Sequence, residues 1–135
     1  MKTKLLTICL LLFTSLVFAE VKEVGNDEII ALMNNDVSII DIRRADEWQD
    51  TGVIKHSNLI TFFDKQGNHN KEEWMSQLMK IVNQDDPVII ICRSGKRSGI
   101  VSKFLDEQAN YKNVYNASGG MVSWVNSKNK TIEPN

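Results

Sequence analysis

One cysteine in this sequence stands where nucleophilic chemistry is easily supported. Val88-Ile89-Ile90-Ile91 runs straight into Cys92, and Arg93-Ser94-Gly95-Lys96-Arg97-Ser98 follows before a helical pattern begins. The four apolar β-branched residues predict a buried strand. The thiol then sits at the carboxyl end of that strand and at the mouth of a helix N-terminus, a place that suits an anion. The thiolate is the reactive form of cysteine, and a free thiol has a pKa of about 8.5. A helix N-terminus favours the anion by at most about 2 kcal/mol. A cation about 4 Å away at an effective dielectric of 20 favours it by up to about 4 kcal/mol. Arg93, Lys96 and Arg97 therefore outweigh the dipole if they turn toward the sulfur, and screening removes most of that effect if they face water. The same cations would attract an anionic substrate. Ser94, Gly95 and their neighbours offer backbone N–H groups around the sulfur, and Gly95 permits the tight backbone such a cradle needs. The plainer alternative is a set of solvated loop charges beside a buried, inert cysteine.

Other constellations are weaker. Gly95-Lys96 followed by Arg97-Ser98 faintly echoes a phosphate-binding P-loop, but the first glycine is missing and residue 97 is neither Ser nor Thr, so that reading is rejected. His56 and His69 have no Cys or carboxylate at metal-ligand spacing, and both read as surface residues.

The elements that must hold Cys92 in place alternate along the chain. Val21–Val24 reads as an edge strand. A helix follows, capped by Asn26 or Asp27, with Ile29, Ile30, Leu32 and Met33 at helical spacing. Val37–Ile42 reads as a buried strand whose carboxyl end delivers Asp41 and Arg43. Ala45–Asp50 reads as a short helix with Trp48 on its inner face, broken by Gly52. Asn58–Phe62 is a second strand candidate, and Lys71–Asn83 an amphipathic helix burying Trp74, Met75, Leu78, Met79 and Val82. After the Cys92 loop, Gly95–Gln108 reads as a helix facing in with Ile100, Val101, Phe104 and Leu105. Val114-Tyr115 then forms a last strand, Gly119-Gly120 a turn, and Met121–Val125 a short helix carrying Trp124. The three tryptophans read as core aromatics, and the polar segment from Ser127 to Asn135 as loose. This alternation predicts an α/β fold, a mostly parallel sheet of about five strands with helices on both faces.

Length and composition agree with one globular domain: 135 residues, 42% hydrophobic and 24% charged. The net charge of -1 gives no field that points to nucleic acid. Residues 1–19 stand apart. Lys2 and Lys4 precede an almost wholly apolar run from Leu5 to Phe18, and Val17-Phe18-Ala19 supplies small residues at the positions of a cleavage site. That is the layout of a secretory signal peptide cleaved after Ala19, and the run is shorter than the roughly 20 residues of a spanning helix. The expectation is a periplasmic or secreted domain of residues 20–135 with no stable membrane span. Cleavage removes Lys2, Lys4 and Cys9, which takes the 16 basic residues to 14 against 17 acidic, a net charge of −3. Cys92 is then the one remaining thiol. No internal disulfide is possible, and a lone thiol in an oxidising compartment points to reactivity.

Three blocks resemble the single-domain rhodanese (thiosulfate sulfurtransferase) family, and together they span about residues 37–125. Ile40-Asp41-Ile42-Arg43 with Glu47-Trp48 and Gly52-Val53-Ile54 is similar to the family's "D-V-R … E-[FYW] … G-H-I-x-G-A". Cys92 to Ser98 is very close to its active-site loop "C-R-S-G-x-R-S". Val114 to Gly120 with Trp124 is similar to the closing "V-x-x-L-x-G-G-x-x-x-W". Val53 stands where the family usually has His, and His56-Ser57 replaces Gly-Ala. The resemblance implies a rhodanese-like fold and a cofactor-free, ping-pong sulfurtransferase. In it the Cys92 thiolate takes the outer sulfur of a donor such as thiosulfate, holds it as a persulfide, and passes it to cyanide or a thiol. It also implies that Arg93, Ser94, Gly95, Lys96, Arg97 and Ser98 bind the anionic donor and that Asp41 and Arg43 brace the site. Glu47 reads as structural.

Two rivals remain. Phosphatases and arsenate reductases of the same fold use Cys, five residues, then Arg. Here the sixth residue after Cys92 is Ser98, and Arg97 comes one earlier, a loop sized for sulfur. The other rival is a persulfide carrier or a module linked to a redox partner protein, with little turnover of its own.

Overall fold

The computed structural model describes residues 20–135, so the expected leader at 1–19 lies outside the described residues. The elements run β1 (Lys22–Val24), α1 (Asn26–Met33), β2 (Ser38–Asp41), α2 (Ala45–Thr51), β3 (Asn58–Leu59), α3 (Lys71–Leu78), β4 (Val88–Ile91), α4 (Lys96–Glu107), β5 (Val114–Ala117) and α5 (Gly120–Asn126). The five strands form one sheet in the order β1-β5-β4-β2-β3, and every pairing is parallel. This is the α/β architecture that the alternation predicts.

Strand β4 lies at the centre, and all four of its residues are buried because helices cover both faces. Successive side chains point to opposite faces. Val88, Ile90 and Cys92 join Trp74 and Leu78 of α3 and Val101 and Leu105 of α4. Ile89 and Ile91 join Ile29 of α1 and Met121 and Trp124 of α5. The catalytic candidate is thus the last residue of a buried row, anchored by the packing beneath it.

Several boundaries and faces differ from the sequence expectation. Helix α3 stops at Leu78, and Met79 caps it at 62% exposure, while Val82 is buried from the turn beyond. Ile100 is 55% exposed, because the buried stripe of α4 is Ser98, Val101, Ser102 and Leu105. Two serines occupy that stripe, so hydrophobicity alone placed it about one residue off. Strand β3 is only Asn58–Leu59, although Ile60 and Phe62 still donate to the carbonyls of Asp41 and Ile42. Gly25, not Asn26 or Asp27, takes the cap position of α1. Trp48 is half-buried rather than in the core. The C-terminal segment is tied down. Val53 and Ile132 exchange both backbone hydrogen bonds, and the Trp124 indole donates to the Lys130 carbonyl.

Candidate active site

The loop from Cys92 to Gly95 joins β4 to α4, and the sheet's carboxyl edge is where open parallel sheets place their ligands. Gly95 caps α4 at φ +93°, and a Cβ there would collide with the Ser118 carbonyl, so only glycine fits. The closing turn packs just as tightly. A Cβ on Gly120 would fall 2.5 Å from the Arg93 oxygen and 2.7 Å from that of Cys92. The first amides of α5 hold the same loop: Met121 donates to the Cys92 carbonyl and Val122 to that of Arg93, each at 2.9 Å.

Three groups surround the sulfur. The Gly95 N–H approaches Cys92 Sγ at 3.2 Å, the Ser98 N–H at 3.3 Å, and the Ser98 hydroxyl lies 3.2 Å away. Ser98 is fully buried and Cys92 is 1% exposed. Donors fixed by the backbone and aimed at one atom stabilise an anionic sulfur without reorganising as charge develops there. Of the cations, Arg93 and Lys96 are exposed, as is Ser94.

Arg97 is placed differently. Its two terminal nitrogens reach the two carboxylate oxygens of Glu47 at 2.9 and 2.6 Å, a bidentate pair across 50 residues of sequence. Glu47 also accepts the Arg44 N–H at the start of α2, so one carboxylate caps that helix and grips the first turn of α4 beside the Cys92 loop. Burial alone would raise its pKa, but the hydrogen bond from Arg97, the Arg44 amide and both guanidinium charges bring it from the ordinary 4.5 to about 2. Arg97 is held above its ordinary value, first by the hydrogen bond to Glu47 and against burial, with the charges of Glu47, Cys92 and Asp41 adding to it.

Asp41 and Arg43 form a second, fully buried pair, with Arg43 Nη2 2.7 Å from Asp41 Oδ2. The remaining guanidinium hydrogens go to Asp41, the Glu47 and Gly52 carbonyls and the Thr51 hydroxyl. Arg43 has no donor left for a substrate, and it ties the end of β2 to the middle and the C-terminal end of α2. A cleft of about 340 Å³ lies beside these pairs, lined among others by Arg44, Glu47, Arg93, Val122 and Val125. His56 and His69 are both exposed, and His69 stacks on Phe62. No cluster of three or more potential metal ligands occurs among the described residues.

Two residues at this site had no assigned partner in the sequence reading. Glu47 is adjacent to Trp48 in the first block but carries no local mark of its link to Arg97. Asn116, 3% exposed on β5, donates to the Gly95 carbonyl at 3.2 Å. Its only signal was its place within the third block.

Known proteins share this chain's sequence pattern and fold. The "Rhodanese-like domain" family matches residues 26–127. The chain is 32% identical over 107 residues to "Putative sulfurtransferase YtwF" of Bacillus subtilis (strain 168), covering 78% of this chain and 91% of that protein. It is 27% identical over 110 residues to "Thiosulfate sulfurtransferase 18" of Arabidopsis thaliana, covering 78% and 79%. Among solved structures, the polysulfide-sulfur transferase homodimer of Wolinella succinogenes superposes with a TM-score of 0.66 at 21% identity, over 87% of this chain and 82% of that one. The chain belongs to the rhodanese-like domain family.

Proposed function

We propose that this protein transfers sulfane sulfur from thiosulfate or a similar anionic donor to a thiophilic acceptor through a persulfide on Cys92. Family membership and the sulfurtransferases among its relatives support a sulfurtransferase-type function. The observation that carries the finer reading is the convergence of the Gly95 N–H, the Ser98 N–H and the Ser98 hydroxyl on one buried sulfur. In the first half-reaction the Cys92 thiolate attacks the outer sulfur of thiosulfate. A new S–S bond forms, the old one breaks, and sulfite leaves with its electron pair. The terminal sulfur of the persulfide is then anionic, and the loop amides offer it hydrogen bonds. In the second half-reaction cyanide or an acceptor thiolate attacks that terminal sulfur, and the Cys92 thiolate leaves. Cyanide becomes thiocyanate, while a thiol becomes a persulfide.

Arg93 and Lys96, exposed at the loop, are the cations free to draw in the donor; Arg97 shares its charge with Glu47. The test is mass spectrometry of the protein mixed with thiosulfate, followed by cyanide. A gain of one sulfur at Cys92 and catalytic release of thiocyanate support the enzyme. Sulfur uptake without turnover supports the carrier. Undiminished thiocyanate formation by Cys92→Ala would sink the assignment. The proposal extends to export, on the strength of the leader-like sequence that ends at Ala19. A protein whose N-terminus in the cell is still Met1, found in the cytoplasmic fraction, would overturn that part.

A further inference from the structure

The sulfur's three donors are not equally secured. Ser98 lies within α4 and is buried, so the helix fixes its N–H and the surrounding core confines its hydroxyl beside the sulfur. The Gly95 N–H belongs to a glycine at φ +93°, the residue with the widest conformational choice. Something outside the loop has to hold that turn. The Gly95 carbonyl accepts from the Gly99 N–H at 3.0 Å within α4 and from Asn116 Nδ2 at 3.2 Å. Asn116 Nδ2 also donates to Glu23 Oε2 at 2.8 Å and Oε1 at 3.1 Å. Glu23 and Asn116 are paired in register on adjacent parallel strands. A carboxamide has two N–H donors, and here one meets the carboxylate and the other the Gly95 carbonyl. Both partners are acceptors, which fixes the amide's orientation. Its own oxygen, buried and without a partner, is left unsatisfied. Stability alone would favour an apolar residue at this position.

We propose that Asn116, oriented by Glu23, is a positioning residue for the reaction: it pins the Gly95 turn so that the Gly95 N–H stays aimed at Cys92 Sγ. The inference rests on the reading of Cys92 as the nucleophile. The relay crosses the sheet from the exposed edge residue Glu23, through the amide of β5, to the loop after β4. It touches neither the donor nor the reacting atoms. The variants that alter the relay leave Arg97 with Glu47, Asp41 with Arg43, and the exposed Arg93 and Lys96 in the sequence, and none of these residues contacts Glu23 or Asn116 by hydrogen bond or ion pair among the described residues.

The test is the pH dependence of Cys92 alkylation by iodoacetamide in the folded protein, which reads the thiolate whether or not sulfur is transferred. Asn116→Leu keeps the branching and the number of heavy atoms and removes the donor. It slows alkylation at pH 7 about tenfold, the size expected when one hydrogen bond to a charged group is weakened, and its half-maximal pH moves up. Glu23→Ala, on an exposed strand, slows it about threefold, since Asn116 keeps the Gly95 carbonyl but loses its orienting partner. Glu23→Gln restores an acceptor and stays near the wild-type profile. With thiosulfate and cyanide, kcat falls in the same rank order while the KM for thiosulfate holds, because the donor-binding cations are untouched. Profiles of Asn116→Leu and Glu23→Ala that superimpose on wild type would overturn the inference. So would Glu23→Gln falling as far as Glu23→Ala, since hydrogen-bond acceptance is what the relay requires. If Asn116→Leu does not fold, the Glu23 pair decides. If the wild type takes up no sulfur while the alkylation profiles separate as stated, the sulfur-transfer reading fails and the positioning inference stands.

Discussion

Two arginine–carboxylate pairs stand side by side near Cys92, and they differ in what surrounds them. Asp41–Arg43 is 1% exposed on both sides, and every guanidinium hydrogen is used. Glu47–Arg97 is bidentate too, but its partners keep 15% and 24% exposure. The first joins three points of the chain through one cation: the end of β2, the middle of α2 and its C-terminal end. The second joins α2 to the first turn of α4, next to the Cys92 loop. Burial makes the first costly to break, whereas the second lies where solvent can partly replace a lost partner. One pair is scaffold. The other is an adjustable contact between the scaffold and the site.

The strongest way to break that contrast is to remove one member of each pair. Arg43→Leu strands the Asp41 carboxylate and takes one donor each from the Gly52 and Glu47 carbonyls, and is expected to cost about 3–5 kcal/mol of stability. Replacing both members, Asp41→Leu with Arg43→Leu, recovers part of that loss, since no charge is then left buried and unpaired. Arg97→Leu is expected to cost only about 1–2 kcal/mol. Urea denaturation of the four proteins measures all of this. Equal losses for Arg43→Leu and Arg97→Leu would show that burial does not separate the pairs.

Acid sharpens the comparison from the other side. The Glu47 carboxyl titrates near 2 in the folded protein against an ordinary 4.5. A lowered folded-state pKa means that the unfolded chain takes up the proton first. The contribution of Glu47 is therefore complete above about pH 4.5 and is lost as pH falls toward 2. Allowing for solvent around the pair, that loss is about 1–2 kcal/mol. Glu47→Gln is expected to flatten the stability curve across this window relative to wild type. An unchanged slope would mean that other carboxylates carry the acid response.

How much of this was legible beforehand follows from the range of each interaction. The β4 run and the loop after it are local, and the sequence placed Cys92 at a strand end and a helix mouth. The parallel five-stranded sheet followed from the alternation of elements. Contacts between distant residues were not legible. Nothing near Glu47 in sequence names Arg97 as its partner, and nothing near Glu23 names Asn116. Ser98 and Ser102 hid the buried stripe of α4, because hydroxyls in a core face look like surface to a hydropathy pattern. Ile132 is an isolated apolar residue in a polar segment, and its bridge to Val53 gives no periodic signal.

A smaller effect concerns the cations that the pairs leave free. Arg93 and Lys96 are exposed, and neither takes part in an ion pair among the described residues. Removing both, Arg93→Ala with Lys96→Ala, is expected to raise the KM for thiosulfate about five- to tenfold, with a weaker effect at high salt. Arg97→Ala is expected to raise it less, because Glu47 already offsets that charge. A larger KM effect from Arg97 than from the other two would mean that the donor displaces Glu47.

The smallest effect is expected at a third pair, Lys103 and Glu107, which lie one turn apart on α4 with 3.8 Å between Nζ and Oε1 and exposures of 70% and 53%. The helix is the same one that begins at the catalytic loop, so a change in its stability would reach the site if exposed pairs mattered. Three arguments say that this one does not. Water screens both charges. The order, Lys before Glu, is the weaker orientation for such pairs. Glu107 is also the last residue of α4, where the carbonyl ends of the helix disfavour an anion. Lys103→Ala should therefore change stability by less than about 0.5 kcal/mol, and Glu107→Gln should be neutral or slightly stabilising. A loss above about 1 kcal/mol in either variant would place this pair beside Glu47–Arg97, and exposure would no longer rank the three.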